Sequence, residues 1–442
     1  MISNILVIDG DNDNFSKKIK SPDTKLLIPI NTSNHVESIE TSLPNLFKNH
    51  SIAPNSIAYD FLRLAISVYS ADVRVSRNES YDQWTRDFHL YLPVSDISKW
   101  DALKTQIQAA LSFLTGDHWE LYFRSLDKSS KKYVPGKKRK SLNVNAVSLF
   151  SGGLDSYCGC IDSLVSKHSI ALVGHHSAGG GATSKSQDKT LQNIRKKFNE
   201  DNAPFLKIWV SAPKGKQGAS EITTRGRSML FIGLGVFIAN GLNVKELIMP
   251  ENGLISLNVP LSNSRLGSYS TRTTHPYFIK SIADIIKAVG LDIELNLIYR
   301  FKTKGEMLLN CLDNELLLGG LKDTMSCSHP SAGRYAKIKG NPHCGYCLPC
   351  IIRRAAIWKA FTKDDTKYAY DINDKRLTTN KIMDQKSLLM ALVRQKTNSP
   401  NLTDILTSGP LPVGDEEKQE YLNVYRRGMH EVKEFMSQYV SI

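Results

Sequence analysis

The chain has 442 residues, 41% hydrophobic and 23% charged, with a formal net charge of +14. That length fits two or three domains of ~150 residues with a well-buried core, and the balance excludes collagen-like and wholly disordered classes. No apolar run reaches the ~18 residues of a membrane helix. Met1–Asp9 shows no basic-then-apolar secretion signal, so a soluble cytoplasmic protein without membrane contact is expected.

Residues 1–127 alternate strand and helix patterns. Phe88, Leu90, Leu92 and Val94 alternate with polar neighbours, and Trp119, Leu121 and Phe123 repeat that period after Gly116-Asp117. An amphipathic helix from Trp100 to Leu114 lies between them, so an N-terminal α+β domain is predicted, without a chemical constellation of its own. Residues 128–142 read as a basic linker. Seven positive charges fall between Lys128 and Lys140, half the net charge, around Pro135-Gly136. Only Tyr133 interleaves with them, so a nucleic-acid role does not rest on this run.

From 143 to 362 the pattern is α/β. Buried strands are predicted at Val144–Phe150, Ile170–Gly174, Leu206–Val210, Leu247–Met249 and Ile293–Leu297, with helices such as Asp188–Phe198 and Ser228–Ala239 between them. This alternation implies a parallel sheet with helices on both faces. Residues 363–442 form a helical C-terminal extension. Leu422, Tyr425, Met429, Val432 and Met436 make an apolar stripe there, expected to pack on the chain's own body, with a homodimer seam as the other option.

The most informative segment is Ser151-Gly152-Gly153-Leu154-Asp155-Ser156, between a buried strand and a helix. Glycines let backbone approach a ligand, and a helix N-terminus offers free N–H groups and partial positive charge to phosphate. Asp155 is placed to orient the loop or a Mg²⁺ ion. The second signal is Cys327 with Cys344, Cys347 and Cys350, a Cys-x₁₆-Cys-x₂-Cys-x₂-Cys pattern. Four thiolates enclose Zn²⁺ tetrahedrally or carry an iron–sulfur cluster, and no other feature asks for electron transfer. Cys158, Cys160 and Cys311 read as buried packing residues in helices.

The six-residue loop resembles the signature of the PP-loop ATP pyrophosphatases. The loop and cysteines together, with Arg353-Arg354-Ala355-Ala356, resemble the QueC family of 7-cyano-7-deazaguanine synthases over about residues 144–361. Further matches are Thr224–Phe231, with Arg227 in place of the family's arginine, and Thr303-Lys304-Gly305-Glu306. Met325-Ser326-Cys327 stands at the approach to the first metal ligand. The acceptor end departs from the family: Gly174-His175-His176-Ser177 leads into Gly179-Gly180-Gly181, and Tyr269–Pro276, with Arg272 and His275, matches only loosely. The added front and tail segments resemble the QueC-like proteins of bacterial anti-phage systems, in particular that of the Qat system.

The resemblance implies a fold of the PP-loop, adenine-nucleotide-hydrolase type, with ATP, Mg²⁺ and Zn²⁺ as cofactors. It also implies adenylation of a carboxylate, 7-carboxy-7-deazaguanine, for amide formation, with a partner protein of the same defence system as acceptor. Ser151, Gly152, Gly153, Leu154, Asp155 and Ser156 would hold phosphates, and Asp155, Arg227 and Lys304 would be the catalytic charges. His175, His176, Arg272 and His275 would face substrate, while the four cysteines would hold zinc. Other readings are synthesis of the free nitrile, a catalytically silent nucleotide-sensing scaffold, and a tRNA-modifying enzyme guided by the basic run.

Overall fold

The structure, a computed structural model, describes residues 2–17, 24–32, 37–127, 136–137, 139–176, 181–212, 221, 223, 225–261, 272–379 and 381–441. Among these residues ten strands form two sheets: β1 (Ile2–Asp9), β2 (Thr24–Ile30), β3 (Glu40–Thr41), β4 (Asp87–Val94), β5 (His118–Ser125), β6 (Ala146–Leu149), β7 (Ile170–His176), β8 (Phe205–Ser211), β9 (Glu246–Ile248) and β10 (Glu294–Asn296). A four-stranded sheet has the order β2-β1-β4-β5, and a six-stranded sheet the order β10-β9-β6-β7-β8-β3.

Every pairing in the first sheet is parallel, which corrects the predicted α+β class of residues 1–127 to α/β. Alternation along a strand reports which face is buried, not the direction of its neighbour. The six-stranded sheet is also parallel, except where β3 adds antiparallel to β8. An N-terminal strand thus completes the edge of the second sheet.

Successive residues in the second sheet point into different cores, as helices on both faces require. Val147, Leu149, Ala171 and Val173 enter one cluster; Ala146, Ile170 and Leu172 enter another. The first cluster also holds Ile5, Val7, Leu90 and Leu121 of the four-stranded sheet, so both sheets share one core. The bridge is helix Ser56–Arg74 against helix Arg225–Gly241. The contact is close because Gly233 has no side chain: a Cβ there would lie 2.4 Å from that of Ala65.

The basic run lies mostly outside the described residues, since 128–135 and 138 are not among them; Lys140 pairs with Asp201 at 2.6 Å. In the C-terminal extension, helix Asp415–Met436 buries Leu422, Tyr425, Met429, Val432 and Met436 against Leu254, Ile351 and Leu388. That stripe is used within the chain and is not a free seam. No described helix is long and apolar enough to cross a membrane.

The central strand β6 has β7 on one side and β9 on the other. The chain leaves β6 toward β7 and later returns to its far side, so a crevice opens at the carboxyl end of β6, where sheets of this kind receive ligands. The loop 151–153 occupies that position.

Candidate functional site

Helix Leu154–Lys167 begins directly after the loop. Leu154, Tyr157, Ile161 and Leu164 give it one buried apolar stripe, Gly153 caps its start, and His168 ends it at φ +65°. Asp155 in the first turn and Lys167 in the last match its dipole.

Gly152 adopts φ +78°, and a Cβ on it would lie 2.8 Å from the Gln187 nitrogen, so glycine is required twice over. Its carbonyl accepts from Ser186 Oγ at 2.7 Å and from the Met325 N–H at 2.8 Å. Gly153 N–H donates to Ser151 Oγ at 3.3 Å, and Leu154 N–H to Ser326 Oγ at 3.0 Å. Ser156 Oγ donates to the Gly153 carbonyl at 3.0 Å, and its oxygen lies 3.1 Å from that of Ser151. Hydroxyl oxygens therefore stand where a bound anion would place its own.

The buried Asp155 carboxylate turns toward two neighbours: Asn252 Nδ2 donates to it at 2.6 Å, and Lys304 Nζ forms an ion pair with it. The lysine starts helix Lys304–Leu309, whose preceding residue shapes the Thr-Lys-x-Glu motif into a capping box. Glu306 N–H donates to Thr303 Oγ1 at 3.1 Å, and Thr303 N–H to Glu306 Oε2 at 2.9 Å. Thr303 and Glu306 thus fix the helix end, leaving Lys304 to face the carboxylate. Arg427 of the C-terminal helix braces Glu306 at 2.6 Å.

Glu251, just past β9, completes this cluster. Its carboxyl is pushed up to about 7 by burial and then by the Asp155 charge, with Lys304 opposing. The sequence reading missed Glu251 and Asn252, which belong to no motif. Their position beside β6 at the carboxyl edge of the sheet was the available signal.

Arg227 and His175 also come together. Burial holds both below their ordinary values, His175 to about 3, and the nearby guanidinium further disfavours a charged imidazole. Tyr69, from the N-terminal segment, meets the His175 ring edge-on at 5.8 Å. Arg227 has no carboxylate partner among the described residues. His176 ends β7, half-buried.

His275 and Arg272 stand elsewhere. His275 Nδ1 caps helix Pro276–Ala288 by accepting from Tyr277 N–H at 3.2 Å, and its other nitrogen lies 3.2 Å from Ser408 Oγ. Arg272 lies over the Phe113 ring at 4.6 Å. Their described contacts are with these groups and not with the loop. Of the family matches, residues 177–180, 224 and 269–271 lie outside the described residues.

The four predicted cysteines converge. Their sulfurs lie within 4.8 Å of one another, with Cys327–Cys347 at 4.0 Å and Cys344–Cys350 at 3.8 Å. A tetrahedron of sulfurs about 2.3 Å from a zinc ion has edges of about 3.8 Å, so the set fits such a metal. Backbone N–H groups of His329 and Cys344 donate to Cys327 Sγ at 3.2 Å, which stabilises a thiolate. Cys158, Cys160 and Cys311 are buried as expected, but Cys311 lies in the turn after helix Lys304–Leu309 rather than in a helix. Cys158 and Cys311 also approach Asp162.

No protein-family model matches this chain, and no curated protein matches it.

Proposed function

We propose that the chain is an ATP-dependent C–N ligase that activates a carboxylate, 7-carboxy-7-deazaguanine, as an adenylate and passes it to an amine. The observation that carries this reading is the Ser151–Ser156 loop at the carboxyl end of the central strand, with Asp155 pinned between Lys304 and Asn252.

The residues present fit such a nucleotide. Gly153 and Leu154 N–H groups would exchange the Ser151 and Ser326 hydroxyls for phosphate oxygens. Asp155 and Glu251 form a carboxylate pair suited to Mg²⁺, and Lys304 is ion-paired with Asp155. When bound, ATP would supply the adenylyl group that turns a carboxylate into a mixed anhydride, with pyrophosphate as the leaving group. Arg227 offers a guanidinium uncommitted to any described carboxylate for the substrate's acid group, and His175, held neutral, does not compete with it.

A cavity of about 630 Å³ lies between the cysteine segment and the C-terminal helices. Tyr346, Leu254, Ile352 and Met429 supply its apolar lining, His329 an imidazole, and Lys381 and Asp384 charges of opposite sign. Helix Gly253–Leu257, whose cap Asn252 holds Asp155, forms one wall, so this cavity is the acceptor-side pocket of the reading. It is roomy for a bare purine-sized base, which favours an acceptor larger than ammonia, such as a protein N-terminus of an anti-phage partner.

The test is incubation with ATP, Mg²⁺ and 7-carboxy-7-deazaguanine, following AMP and pyrophosphate. Formation of both, abolished by Asp155→Ala, is expected; absence of both rejects the reading. Intact-mass analysis of candidate partner proteins separates conjugation from release of a free nitrile.

A further inference from the structure

A second cavity, of about 480 Å³, lies on the carbonyl side of the phosphate loop. Ser186 and Met325 form part of its wall, and both bond the Gly152 carbonyl. The loop N–H groups instead address Ser151 and Ser326, so this space is distinct from the proposed nucleotide contacts. Four separate stretches bring lysines to it: Lys185 and Lys189 from helix Ala182–Ile194, Lys322 from the turn before Cys327, and Lys339 before and Lys367 after the later cysteines. Against these five, among the described lining residues, stand only Asp323 and Asp365, and Asp323 is already paired with Lys189 at 3.0 Å.

Beneath the lysines is a second source of positive charge. Arg353 is 0% exposed and has no carboxylate partner among the described residues. Its guanidinium donates to Thr324 Oγ1 at 2.6 Å, the Leu321 carbonyl at 2.8 Å and Thr366 Oγ1 at 3.0 Å, all neutral acceptors, and its Nε has no partner. Thr324 itself lines the cavity. A buried guanidinium without a counter-charge is costly, and a cationic cleft with low-dielectric walls concentrates anions.

We infer that this cavity is a binding site for oligophosphate, an anion with several charges along a short chain. Lysines spread around a rim act as point charges and suit several phosphate groups better than one carboxylate, which an arginine fork would grip. Among the described residues no phenylalanine, tyrosine or tryptophan lines the space, and the one imidazole, His343, is buried and accepts from Ser326 N–H, so the ligand is recognised chiefly by its phosphates. Inorganic pyrophosphate and the tail of a nucleoside diphosphate share this chemistry. The inference goes beyond the ligase reading and holds whether or not the loop carries ATP.

The experiment is titration calorimetry of the full chain with inorganic pyrophosphate and, separately, ADP, both without magnesium. The exposed lysines can be changed without touching the core, so a Lys185→Gln, Lys322→Gln, Lys367→Gln chain is compared with a Lys99→Gln, Lys287→Gln, Lys386→Gln control. Pyrophosphate binding at least tenfold weaker in the first, and within twofold of wild type in the control, is expected, with the difference shrinking in high salt. A parallel loss for ADP assigns the site to any phosphate tail, whereas loss for pyrophosphate alone assigns it to the inorganic ion; either supports the site. Affinity unchanged by the cavity substitutions, equal loss in the control, or no pyrophosphate binding by wild type would overturn it.

Discussion

The hydroxyl of Ser326 accepts a hydrogen bond from the backbone N–H of Leu154 at 3.0 Å, closing the helix end that a phosphate would otherwise meet. A ligand must displace this contact. With a net hydrogen-bond value of about 1 kcal/mol, Ser326→Ala is expected to bind ADP with magnesium about fivefold more tightly. Calorimetry on the two chains checks it. Weaker binding by the variant would mean that the hydroxyl helps to hold the nucleotide.

The same residue ties the loop to the cysteine cluster. Ser326 N–H donates to His343 Nε2 at 3.2 Å, Met325 N–H holds the Gly152 carbonyl, and Cys327 and Cys344 are their immediate neighbours. A metal bound by the four cysteines therefore also fixes the rear of the loop 151–153. Elemental analysis is expected to give one metal ion per chain, lost in Cys344→Ser. Removing it with a chelator should lower the melting temperature and speed amide exchange at Gly152–Asp155 by tenfold or more. Exchange there that ignored the metal would show that the loop stands without it.

The five parallel strands of the six-stranded sheet were legible because buried parallel strands are short apolar runs between turns, whereas the two-residue edge strand β3 was not. The expected Ile170–Gly174 and Leu206–Val210 match β7 and β8 to within a residue or two at each end. Helix Ser56–Arg74 gave no such signal. It is covered by the first sheet on one side and helix Arg225–Gly241 on the other, and buried Asp60, Ser67, Asp72 and Arg74 break any clean stripe. The loop and cysteines were legible because their spacing is local. Glu251, Asn252 and Tyr69 were not, since each gains its role from a residue distant in sequence.

Gly152 offers a test of the loop's backbone. At φ +78°, an L side chain is strained by about 1–2 kcal/mol, and the Cβ would also press on Gln187 N at 2.8 Å and its Cγ at 3.0 Å. Gly152→Ala is expected to lower unfolding free energy by about 2 kcal/mol or more, measured by denaturant titration. A loss under about 0.5 kcal/mol would mean that the turn relaxes freely and need not be glycine.

Glu251 sets a pH dependence with a definite sign. In the unfolded chain its carboxyl titrates near 4.5, whereas in the folded chain burial and the Asp155 charge push it up to about 7. Between those values the folded chain keeps a proton that the unfolded chain has released, so this group's contribution to stability falls as pH rises. Glu251→Gln cannot lose that proton. The variant is therefore expected to gain on wild type by about 1–3 kcal/mol as pH rises from about 4 to about 8, read by denaturant unfolding at both. Magnesium bound between Asp155 and Glu251 should expel the same proton, so wild type, and not the variant, would release one near pH 6.5 on binding the ion; calorimetry in buffers of different ionisation enthalpy detects it. A stability difference that stayed constant across that pH range would show that Glu251 titrates as an ordinary surface acid and that the two carboxylates do not act as a pair.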